Sequence, residues 1–171
     1  LAALTTRLDA LQKDINLNKA PVVMHFRITT HGGTKPENCH PFPITDNIGA
    51  LKKLTQNVPI GVAHNGIIHN IPRKGISDTM EYIASQLAPL SKALPRFYEN
   101  KHAMTLIKNA IESKMAILTG EGKIYTIGKF TKDKGVLYSN DSFRDYYGYR
   151  SIDWGSYGDY GGYGGYGMFD A

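Results

Sequence analysis

A chain of 171 residues with 42% hydrophobic content has material for one domain with a real core, not for two independent ones. No run approaches the roughly 18 apolar residues of a membrane helix, and Leu1 opens neither the basic nor the apolar part of a secretory signal, so the expectation is a soluble protein with no membrane partner; the single cysteine, Cys39, fits a reducing compartment and makes the cytoplasm the expected location. The net charge of +5 is unevenly spread, because all 20 Lys and Arg lie at or before Arg150 while Asp153, Asp159 and Asp170 lie beyond it; no dense basic run focuses the surplus, and nucleic-acid binding stays a minor reading.

Leu4, Leu8, Leu11 and Ile15 recur at spacings of three and four, which predicts an amphipathic helix over 3–17, followed by a linker that ends at Pro21. Val22 to Ile28 is β-branched and aromatic enough for a strand, and Thr29-Thr30-His31-Gly32-Gly33 supplies the loop after it. Three prolines between Lys35 and Pro43 predict an ordered loop rather than a helix or central strand, and a short helix is expected within 47–56. Pro59 to Ala63 reads as a second strand that stops at His64-Asn65-Gly66, where Asn-Gly favours positive φ.

Ser77-Asp78-Thr79 precedes Met80, Ile83, Ala84 and Leu87, the pattern of a capped helix with acidic residues near its positive end. A further helix is expected over 102–112. Met115 to Leu118, Lys123 to Ile127 and Val136 to Tyr138 are strand candidates, the first two joined as a hairpin through Thr119-Gly120-Glu121-Gly122. After Arg144 the composition turns to Tyr, Gly and Asp, with almost nothing aliphatic to bury. The expected division is a domain over 1–145 and a low-complexity tail over 146–171, the tail being either disordered in isolation or a surface for self-association.

Four motifs stand in order: His25-Phe26-Arg27-Ile28-Thr29-Thr30-His31-Gly32, Asn38-Cys39-His40-Pro41, His64-Asn65-Gly66-Ile67-Ile68 and Ser77-Asp78-Thr79. Each is common alone. As an ordered set over residues 22–141 they resemble the glutaminase domain of the class II glutamine amidotransferases, which are N-terminal nucleophile hydrolases. The resemblance implies an α+β fold, a four-layer αββα sandwich, here incomplete at its N-terminal edge. It also implies hydrolysis of the side-chain amide of glutamine to glutamate and ammonia.

The residue types suit that chemistry. A planar guanidinium holds a carboxylate through two parallel hydrogen bonds, and the resemblance nominates Arg27 for the substrate carboxylate. It assigns the substrate ammonium to Asp78, whose plainer reading is a helix-cap aspartate. The oxyanion of the tetrahedral intermediate falls to the Asn65 side chain and the Gly66 backbone N–H, which equally well form an ordinary turn. Thr30 and His31 are placed near the bound amide, whereas His40 and His64 are read as supports for neighbouring loops. No cofactor and no metal are called for.

The resembling enzymes use a cysteine as the first residue of the mature chain, where its own α-amine, with a pKa of about 8, serves as the base. Leu1 has no such side chain, and only residues 1–24 precede His25, so an N-terminal piece is expected to be absent from these 171 residues. Cys39 lies inside the chain with no free α-amine and is read as a small packed residue. Ile28 stands where several members have an aromatic residue, and His69 where some have an acidic one. The alternative reading is a catalytically inactive structural or assembly protein on the same scaffold, associating through its Tyr/Gly tail. An incomplete sheet leaves an edge and an apolar face, so the expected partners are glutamine, the missing segment or a partner chain over that edge, and further copies in a homo-oligomer.

Overall fold

The computed structural model describes residues 20–26, 36–39, 41–69, 71 and 75–141. They divide into a larger unit that ends at Phe130 and a smaller one that starts at Thr131. The helix expected over 3–17 and the tail over 146–171 lie outside the described residues.

The larger unit is built on a four-stranded antiparallel sheet in the order β1-β2-β3-β4, with β1 at Phe42–Pro43, β2 at Ile60–Asn65, β3 at Lys114–Thr119 and β4 at Ile124–Ile127. Pro43 has no N–H to give to a ladder, and it sits on the edge strand, where only one side needs pairing. In the centre, Val62 faces Ile117 and His64 faces Met115 across β2 and β3; Ile117 and Met115 in turn face Tyr125 and Ile127 of β4. Since side chains alternate along a strand, these residues share one face, and Met115, Ile117 and Thr119 are buried while their sequence neighbours are only half so. The other face carries Gly61, Ala63, Ala116, Leu118 and Ile124, the last of them 38% exposed.

Helices complete the core on the first face. After the one-turn helix α1 (Ile48–Leu51), capped by Asn47, the chain passes through β2 to α2 (Asp78–Tyr82), where the Ser77 hydroxyl accepts from Met80 N. A π-helical segment, Ile83–Leu87, links α2 to α3 (Ala88–Ala93), with Ala88 N bonding to Ile83 O. The cause lies in Pro89, near the start of α3: its ring would collide with the carbonyl four residues back, and widening the preceding turn relieves that contact. α4 (Lys101–Ile111) starts at Asn100, whose side chain accepts from His102 N and Ala103 N, and ends at Glu112 in the left-handed region. Its buried stripe, Ala103, Ile107 and Ile111, joins Met80, Ile83 and Met115 in one hydrophobic cluster.

Arg96, with φ of 61°, clamps the turn before α4 to the β3–β4 hairpin. It donates to Glu99 at 2.6 and 2.8 Å and to Glu121 at 2.8 Å, while the Tyr125 hydroxyl donates to Glu99 at 2.8 Å. The smaller unit is a hairpin, β5 (Thr131–Asp133) with β6 (Val136–Tyr138), turning at Lys134-Gly135, both at positive φ. Only β6 was expected from the sequence.

Mixed α and β content with antiparallel sheets is therefore the observed class. The strand expected over 22–28 is not formed in its described part, since residues 21–26 have no regular secondary structure. Strand propensity reflects packing on a pleated surface, and without a ladder partner a run of strand-favouring residues forms no strand. Within the proline-rich stretch the chain forms a 3-10 turn at Pro36–Asn38 and then β1, in place of a plain loop. Cys39 is exposed, not packed; the buried residue of that turn is its neighbour Asn38. Among the described residues no helix is long and apolar enough to cross a membrane.

Candidate functional site

The end of β2 and the start of α2 meet at one place, through two side chains. The first is Asp78, the opening residue of α2, behind the Ser77 cap. Its Oδ2 accepts from Ile68 N at 2.7 Å and its Oδ1 from Thr79 N at 2.9 Å. One carboxylate therefore closes the helix start and also holds the segment that follows Gly66. Being half-buried at a helix N-terminus, it sits where the backbone N–H groups favour negative charge.

The second is His64, only 3% exposed, on the core face of β2. Its Nδ1 lies 3.0 Å from Thr79 Oγ1 and its Nε2 lies 2.6 Å from Ser113 Oγ, so one ring joins β2, α2 and the turn between α4 and β3. Burial pushes the His64 pKa down to about 4; the Asp78 carboxylate works against that shift and His25 adds to it. At neutral pH the ring is therefore an uncharged hydrogen-bonding strut.

Between these two anchors lies the Asn65-Gly66 corner. Asn65 is the last residue of β2, opposite Lys114, and Gly66 leaves the strand with φ of 140°, a conformation that residues with a Cβ rarely adopt. The packing demands glycine independently: a Cβ there would stand 2.6 Å from Ser113 Cβ and 3.2 Å from Ser113 Oγ. The chain is thus turned sharply at Gly66 with both sides of the turn tied down.

Of the site residues expected from the sequence, Asn65, Gly66 and Asp78 are described and stand in this one neighbourhood. Arg27, Thr30 and His31 lie outside the described residues, as does His40. Ser113 escaped sequence reasoning: it belongs to no motif and lies 49 positions from the histidine it touches. Only the antiparallel pairing of β2 with β3 brings it there. Among the described residues no group of three His, Cys, Asp or Glu side chains is placed to hold a metal ion.

Comparison of the chain with protein-family models, with curated proteins and with solved structures found no match.

Proposed function

We propose that the chain is the greater part of a glutaminase domain of the class II amidotransferase kind, taking free glutamine at the Asn65-Gly66 corner. The observation that carries this is the bond from Ile68 N to Asp78 Oδ2, at 2.7 Å. It joins two motifs separate in sequence, one suited to stabilising an oxyanion and one suited to holding an ammonium group. In this reading the finer architecture is the four-layer αββα sandwich, to which the sheet and its helices contribute one sheet and one helical layer.

The chemistry divides into binding and stabilisation. Arg27 pairs with the α-carboxylate of glutamine and Asp78 accepts from its α-ammonium, with Thr30 and His31 alongside the amide. A thiolate adds to the amide carbon, and the negative charge that forms on oxygen meets the Gly66 N–H and the Asn65 amide. Collapse of that intermediate breaks the C–N bond, the departing nitrogen takes a proton to leave as ammonia, and water then hydrolyses the thioester to glutamate. In the resembling enzymes that thiolate is the side chain of a first-residue cysteine.

Glutamine titrated into the chain, followed by NMR, tests the binding half. The expected result is saturable movement of the Asn65, Gly66 and Asp78 resonances, and for Asp78→Asn, checked to be folded, an affinity lower by about tenfold or more. Resonances that stay put at millimolar glutamine overturn the reading. Release of ammonia from glutamine by the natural protein tests the catalytic half.

A further inference from the structure

The hydrogen bonds around His64 have a single direction, and Ser113 sets it. A serine hydroxyl has one proton, and that of Ser113 is directed to the Ile111 carbonyl, 2.8 Å away, an atom that can only accept. Toward His64, Ser113 Oγ must then accept, so the proton on the ring is at Nε2, 2.6 Å from that oxygen. A neutral imidazole with a proton on Nε2 has a bare Nδ1, and the Thr79 hydroxyl, 3.0 Å distant, is then the donor to it. The carbonyl at the end of α4 thus determines the tautomer of a histidine on β2 and the direction of the hydroxyl proton of a threonine on α2.

Ser113 also bears on the corner itself. Its Cβ takes up the space that a side chain at Gly66 would need, with 2.6 Å between the positions, and Oγ and the His64 ring close the same side at 3.2 and 3.6 Å. The Gly66 α-carbon therefore stands close against Ser113, on the side where the Ser113 to His64 bond lies.

We infer that Ser113 is a positioning residue for the Asn65-Gly66 corner, fixing His64 as the Nε2–H tautomer through a one-way chain from Thr79 to Ile111 and setting the aim of the Gly66 N–H. Its use as an oxyanion-site support rests on the glutaminase reading; the hydrogen-bond order does not. The conserved volume of Ser113→Ala keeps the Cβ against Gly66 and removes only the hydroxyl, whereas Ser113→Thr keeps a hydroxyl.

The test is nitrogen NMR of the full chain labelled in its histidine rings, at pH 7. The expected spectrum for His64 has a protonated Nε2 and a bare Nδ1; a protonated Nδ1, or rapid averaging of the two forms, overturns the inference before any variant is made. In Ser113→Ala the bare Nδ1 signal should lose its single-tautomer position, the Gly66 amide resonance should move, and its hydrogen exchange should quicken about tenfold, with Ser113→Thr closer to the parent. A Gly66 amide unchanged in Ser113→Ala removes Ser113 from any positioning role. Glutamine titration of the same samples separates the two claims: a Gly66 that responds to Ser113→Ala but never to glutamine sinks the glutaminase reading alone.

Discussion

At the scale of the residue, His64 shows how burial converts a titratable group into a structural one. Its folded pKa of about 4 lies below the ordinary value of 6.5, so the unfolded chain binds the extra proton first. The stability associated with the neutral ring is complete above pH 6.5 and is lost progressively as pH falls from 6.5 to 4. A shift of this size is worth about 3 kcal/mol. We expect the urea midpoint to drop across that window and the His64→Gln variant, weaker at pH 7, to lose most of the slope; equal slopes in the two proteins would refute the assignment. Gly66 teaches the complementary lesson: Asn-Gly in the sequence announced positive φ, but the need for a bare α-carbon came from Ser113.

At the scale of the element, periodicity was a good guide wherever an element has one wet face. In α4, Ile107 is 3% exposed and Leu106, its neighbour in sequence, is 70% exposed, as a 3.6-residue repeat demands. Ile107→Ala should therefore destabilise the protein by about 2–5 kcal/mol in denaturant titrations, and Leu106→Ala by no more than about 0.5 kcal/mol. The Ser77 cap and the β3–β4 hairpin were likewise legible, since each depends on neighbours a few residues apart, whereas β2, expected over Pro59 to Ala63, runs over Ile60–Asn65 because its pairing with β3 continues to Lys114. The π-helical segment was not. Its signal, Pro89, is present in the sequence, but a proline two residues into α3 ordinarily marks a helix start, and here the helical chain runs on through it.

At the scale of the whole molecule, every member of the hydrophobic cluster among the described residues precedes residue 130, Ile127 being the last. The hairpin from Thr131 pairs β5 with β6, with Thr131 Oγ1 donating to Asp141 at 2.8 Å. A chain ended at Phe130 should thus keep a cooperative thermal transition and the near-UV signature of the packed aromatics Phe97, Tyr98 and Tyr125. Loss of cooperativity in that shorter chain would show that the core extends beyond the cluster. The same scale holds the candidate site together, since Asn65, Asp78 and Ser113 come from three segments that meet only when β2 pairs with β3 and α2 docks on the sheet.

The sequence by itself determined the mixed α and β class, a helix expected over 102–112 and found at Lys101–Ile111, and the β3–β4 hairpin, because propensity, capping and turn chemistry act over short separations, while its motifs nominated Asn65, Gly66 and Asp78 by resemblance. Tertiary structure alone decided that residues 21–26 form no strand, that Cys39 faces solvent, that His64 is neutral and that Ser113 stands against Gly66. These are matters of which surfaces meet. A ladder partner, a buried ring and a filled space beside an α-carbon are supplied by residues tens of positions away, and no local pattern encodes them.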